Sequence, residues 1–346
     1  MRRLFGRSTR LRHVLSTMPA VLLGASLFAQ VPVDDPDAHV AAARTAAGLD
    51  FRNTFINLCL PAAGRGAAGA AGAARGAPAP GRGASATPDR ANWYAPPFKV
   101  FDNLYWLGTR QHSSWALQTS GGIVILDTNF AWATDPEIID GLAKVGLTPT
   151  DIKFVVISHA HGDHDQGAAE LQRRFGAKIV MGAPDWDSTL QRPASAAGGV
   201  PTKDVSVGPD GYTLTLGDTA ITIVPTPGHT PGTLSFVFPV KHDGQTLQVA
   251  YSGGTLTGAF GTNAARWDEY IDSQRKIAKA AADAGATVIL SNHSEYDNAY
   301  TKARLITAPR QPGENHPFVV GADAVQRYFT VMEECAAASK LRAGAK

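Results

Sequence analysis

His159-Ala160-His161-Gly162-Asp163-His164 follows closely on the apolar run Phe154-Val155-Val156-Ile157. Four side chains able to ligate a metal fall within six residues, and three of the chain's ten histidines are among them. A chance grouping on a solvated loop explains that density poorly. His159 and His161 are two residues apart, so in an extended segment both point to the same side. Asp163 and His164 come where the chain must turn. Zinc takes histidine nitrogen and aspartate oxygen, and a catalytic site needs three protein ligands and an open position. One short loop therefore offers ligands to two ions.

The remaining ligands are found downstream. His229 lies in Pro225-Thr226-Pro227-Gly228-His229-Thr230-Pro231-Gly232, a turned loop between two strand-like runs. His293 ends Val288-Ile289-Leu290-Ser291-Asn292-His293, past a buried-strand signal. With the hexapeptide, these two histidines complete two sites of three ligands each.

This pattern resembles the metallo-β-lactamase superfamily. Phe98–Thr109 resembles the first hairpin of that fold and Gly122–Thr128 the next, with Asp127 behind the metals. The likeness covers roughly residues 93–310. It implies an α/β four-layer αββα sandwich and two Zn2+ ions. The first zinc would be held by His159, His161 and His229, the second by Asp163, His164 and His293. Asp127 would orient a ligand histidine. Zinc would generate hydroxide near neutral pH to attack a carbonyl, with Asp163 handling the proton.

The superfamily holds many activities, so the ligand set must narrow the choice. Val249-Ala250-Tyr251-Ser252-Gly253-Gly254-Thr255 contains neither Asp nor Cys. Lacking Asp, it departs from the glyoxalase and nuclease branches; lacking Cys, it departs from the lactamases with a cysteine ligand. What remains resembles the third, His/Asp-only lactamase subclass. That subclass usually has serines near Gly253-Gly254 to hold the substrate carboxylate. Their absence implies weak β-lactam turnover, improved by serine at either glycine. The alternatives are a lactonase, esterase or thioesterase, and a metal-binding protein without catalysis.

The 346-residue chain is 44% hydrophobic, enough for a substantial core. Arg2, Arg3, Arg7, Arg10 and Arg12 precede an uncharged run from Val14 to Ala29. Residues 1–29 read as a signal peptide, too short and polar in its apolar part for a stable membrane span after processing. Without them the formal charge falls from +2 to −3, so the basic balance is no sign of nucleic-acid binding. The expected partner is a small-molecule substrate, and the expected location is periplasmic or secreted. The sequence leaves the oligomeric state open.

Residues 30–61 read as a helical segment. Residues 62–91, nearly all Ala, Gly, Arg and Pro, carry no apolar periodicity and read as disordered. The catalytic domain is expected over 92–346. Cys59 and Cys335 are either bridged or buried as thiols, the bridge favoured in an exported chain. His112 faces either the metal cleft or solvent. His242 and His316 read as surface residues, and Trp106, Trp115, Trp132, Trp186 and Trp267 as core or rim.

Overall fold

The computed structural model describes residues 35–60, 87–255 and 260–345. The expected signal segment lies outside them, as do residues 62–86 of the low-complexity stretch. That stretch ends as a short helix, Arg90–Trp93, begins.

Apolar runs, most of them continuously buried, make two sheets. In the first lie, in order, β1 (Phe98–Phe101), β2 (Leu104–Trp106), β3 (Trp115–Thr119), β4 (Gly122–Leu126), β5 (Ile152–Val156), β6 (Lys178–Gly182) and β7 (Val205–Val207). The second contains β8 (Tyr212–Leu216), β9 (Thr219–Pro225), β10 (Leu234–His242), β11 (Gln245–Ser252) and β12 (Val288–Ser291), ordered β12-β11-β10-β9-β8. The hairpin strands β1–β4 pair antiparallel, while β4, β5, β6 and β7 pair parallel. Helical crossovers between the parallel strands cover the outer face, as parallel pairing requires.

Side-chain alternation assigns the layers. Val124 and Leu126 of β4 and Val156 of β5 join Phe236, Phe238, Val249 and Tyr251 between the sheets. Their neighbours Ile123, Ile125 and Val155 turn outward, with Ile138, Leu142 and Leu171 of the covering helices. On the other side, Val237, Ala250 and Ile289 pack beneath the helices Ala264–Asp283 and Ala322–Arg342. The central strands of each sheet are buried on both faces, which makes the four-layer αββα sandwich, while β8 and β9 expose alternate residues.

Three local departures from expectation have physical causes. The helical segment expected over 30–61 contains, in its described part, two helices, Pro36–Ala47 and Arg52–Cys59, because Gly48 at φ 51° stops the first. The helix expected from Pro136 begins earlier, at Ala131, and passes through a π turn at Thr134–Ile139. There Asp140 N–H donates five residues back, to Asp135 O. His316 is buried, not surface: its ring stacks 4.7 Å from Phe101, and burial pushes it down to about 4.

The N-terminal helix pair packs against the last helix through Phe51, Phe55 and Tyr328. Cys59 and Cys335 form a disulfide there, with Cα atoms 4.8 Å apart and 276 positions between them in sequence. Trp106, Trp115, Trp186 and Trp267 are core residues, while Trp132 is partly exposed.

Candidate metal centre

The site forms where the C-terminal edges of the two sheets meet. Leu234 N–H at the start of β10 donates to Ser158 O just past β5, at 2.8 Å. That bond joins the hexapeptide to the loop carrying His229. Within this loop Gly228 has φ 132°, and a Cβ there would lie 2.8 Å from the Tyr270 backbone, so only glycine lets the loop approach the helix. β12 delivers His293 from the other side.

The six expected residues come together in two clusters. His229 Nε2 lies 3.1 Å from His159 Nε2 and 3.1 Å from His161 Nδ1. Zn–N bonds of about 2.0–2.1 Å in a tetrahedral site place nitrogens roughly 3.3 Å apart, so these three converge as one ion requires. Burial holds His159 and His229 well below the usual histidine range and His161 at about 4, leaving neutral rings with free lone pairs. In the second cluster, Asp163 Oδ2 lies 3.2 Å from both His164 Nε2 and His293 Nε2, which are 3.1 Å apart. Burial opposes the Asp163 charge, but His164 and His293 more than offset it and hold the carboxyl well below its usual range. The donor set and spacing of both clusters fit a zinc ion.

Surrounding groups aim the rings. His159 Nδ1 lies 2.9 Å from Gly253 O, which also accepts from Asn292 Nδ2 at 2.7 Å. Asp127, at the end of β4 with φ 59°, places Oδ2 3.2 Å from His164 Nδ1. Burial disfavours charge on His164, but Asp163 and Asp127 outweigh it and raise the ring to about 10.

Asp185, Arg192 and Asp165 carry no sequence signal, whereas the sequence leaves His112 between the cleft and solvent. Asp185, on the helix Ala183–Leu190, accepts from Ala160 N–H at 2.7 Å, Thr230 Oγ1 at 2.8 Å and Gly232 N–H at 2.9 Å. One carboxylate thus braces both histidine loops. Arg192 caps Ala160 O at 2.7 Å and pairs with Asp165 at 2.7 Å. His112 enters the cleft, with Nε2 3.6 Å from Asp163 Oδ2. Burial and nearby His293 push it down to about 3. Beside it Trp93, Phe130 and Trp132 line a cavity of about 350 Å³.

The expected remedy at the glycines fails on packing. A Cβ on Gly253 would collide with the carbonyl oxygen of Leu234, and one on Gly254 would lie 2.7 Å from His229 Cβ. These glycines let β11 and the His229 loop approach each other; neither has room for a serine.

A sandwich bearing His/Asp clusters at its sheet ends defines a candidate metal centre. The chain carries a metallo-β-lactamase superfamily domain: the sequence profile of that superfamily matches residues 107–243. Among solved structures, BJP-1, a subclass B3 metallo-beta-lactamase of Bradyrhizobium japonicum, is similar at 27% identity and TM-score 0.56, covering 70% of this chain and 93% of that one. FEZ-1 metallo-beta-lactamase from Legionella gormanii, 24% identical with TM-score 0.57, covers 68% of this chain and 91% of its own, and speaks for the fold alone. Curated relatives include two hydroxyacylglutathione hydrolases. That of Acidiphilium cryptum is 30% identical over 34% of this chain, and the match spans only 47% of its length. That of Rhodopseudomonas palustris is 29% identical over 59% of this chain and 78% of its own.

Proposed function

We propose that the chain is an exported di-zinc hydrolase that opens a lactam or ester-type carbonyl without a covalent intermediate. The observation that carries this reading is the pair of His/Asp clusters, three ligands each, with no carboxylate or thiol from the segment after β11. His159, His161 and His229 would hold one ion; Asp163, His164 and His293 would hold the other. Zinc bound in such sites lowers the pKa of water toward neutrality and polarises a carbonyl oxygen. The chain's own part is orientation and proton handling. Gly253 O and Asp127 fix the His159 and His164 rings, and Asp163, ionised and partly exposed, accepts the proton released on attack. The aromatic wall of Trp93, Phe130 and Trp132 gives an apolar substrate part a surface beside the clusters.

Two observations favour a second reading, a thioesterase or lactonase with feeble lactamase activity. The curated relatives above are named for hydroxyacylglutathione hydrolysis. Packing also excludes a carboxylate-holding serine at Gly253 and Gly254. Export is read from the arginine-rich leader and is in keeping with the Cys59–Cys335 bridge. The deciding experiment assays the zinc-loaded chain on a penicillin, a carbapenem, an acyl-homoserine lactone and S-lactoylglutathione. Lactam turnover exceeding ester and thioester turnover supports the first reading. The reverse order supports the second, and no turnover on any substrate overturns both.

A further inference from the structure

His112 is not among the six expected ligands, yet several independent features aim its ring at the second cluster. Its backbone is tied to that of His293: Ser113 N–H donates to Asn292 O at 2.8 Å, and Ser294 N–H donates to Gln111 O at 2.7 Å. The two histidines thus face each other in a short antiparallel bridge, with ring centroids 4.9 Å apart. His112 Nε2 is 3.6 Å from Asp163 Oδ2, the oxygen that also faces His164 and His293. Ligand atoms of His112, Asp163 and His293 all lie within 4.8 Å of one another.

The opposite edge of the ring is held by Thr109. Thr109 Oγ1 accepts from His112 N–H at 2.9 Å and Gln111 N–H at 3.3 Å, and lies 3.3 Å from His112 Nδ1. The hydroxyl sits against the Nδ1 edge, which leaves Nε2 facing the carboxylate. Phe130 packs edge-on at 5.0 Å and limits rotation. A ring so held, with its far nitrogen hydrogen-bonded, has the arrangement of a metal-bound histidine.

We propose that His112 is a fourth protein ligand of the Asp163/His164/His293 site. The inference rests on the reading of that cluster as a metal site. Four side chains satisfy a tetrahedral zinc ion, whereas the His159/His161/His229 site keeps an open position. The two sites are then unequal. The first accepts water or substrate, while the second binds its ion more tightly and admits a substrate group only by displacing His112.

The test is stepwise metal binding by the full chain, the His112→Ala chain and the conservative His112→Gln chain, by zinc-chelator competition and metal analysis. Expected are two zinc ions in the parent and, in both variants, an affinity lower by about tenfold or more at one site only. A change in the visible spectrum of the cobalt-loaded form should accompany it. In the cadmium-loaded parent, coupling between the metal and the His112 ring protons reads ligation directly, without any variant. Two ions in the parent, unchanged stepwise affinities in the variants and no such coupling would reduce His112 to a hydrogen-bonding neighbour of Asp163 and overturn the proposal alone. Fewer than two ions in the parent would overturn the two-site reading as well.

Discussion

Asp127 Oδ2 lies 3.2 Å from His164 Nδ1, and both side chains are wholly buried. The same carboxylate accepts from Ser158 N–H at 2.6 Å, Ser158 Oγ at 2.8 Å and Tyr251 Oη at 2.8 Å. One residue at the end of β4 therefore ties together the loop after β5, strand β11 and a ring of the second cluster. Asp127→Asn keeps the shape and removes the charge behind His164. Zinc affinity of the second site should fall about 10- to 100-fold while the first site is unchanged. Chelator competition reads this, and a second-site affinity unchanged from the parent would sink the role assigned to Asp127.

Gly253→Ser should damage the protein instead of improving it. The added side chain has no space beside Leu234 O, and moving the backbone disturbs the carbonyl that faces His159 Nδ1. We expect a loss of about 3 kcal/mol or more, together with lower zinc content. Thermal melts and metal analysis measure both. A variant as stable as the parent, with faster lactam turnover, would refute the packing argument.

Glu137 gives a pH dependence remote from the metal centre. Burial pushes its carboxyl from 4.5 up to about 8; a hydrogen bond from Ala95 N–H works against the rise. One carboxylate oxygen has no partner. Between those pH values the unfolded chain has already lost the proton that the folded chain retains, so this group's contribution to stability falls as pH rises. Glu137→Gln removes that slope. The melting temperature of the variant should exceed that of the parent by a few degrees near the upper end of this window, each 1 kcal/mol being worth roughly 2–4 °C. Parallel melting curves across the window would show that Glu137 is not the group responsible.

The Cys59–Cys335 bridge closes nearly the whole described chain, with 276 positions between its ends. The chain-entropy model puts its contribution at an upper value of roughly 5 kcal/mol. Neither cysteine touches the histidine clusters. Replacing both with serine should therefore lower the melting temperature by about 10 °C and leave zinc stoichiometry intact. Calorimetry of parent and double variant, with metal analysis, checks both halves. Equal melting temperatures would mean that the bridge contributes nothing in solution.

Much of the centre was legible before any fold was known. An apolar run followed by a histidine is a local signal, because strand periodicity reports burial over a few residues. It marked β5, β12 and the loop between β9 and β10, and with them His159, His161, Asp163, His164, His229 and His293. Local patterns failed where burial came from a distant segment. Nothing around His316 announces Phe101 as its neighbour. Nothing around Asp185 announces that it braces loops 25 and 47 positions away.

The sequence by itself determined which side chains could ligate and which strand ends would present them, since residue type and alternation are properties of short stretches. Only the tertiary structure decided how those ends are joined. Pairing of residues 111–113 with 292–294 brought His112 into the cleft. The close approach of β11 to β10 made Gly253 a packing necessity and not a missing serine. Both are contacts between segments far apart in the chain, set by how two buried sheets fit face to face; no local pattern encodes that fit.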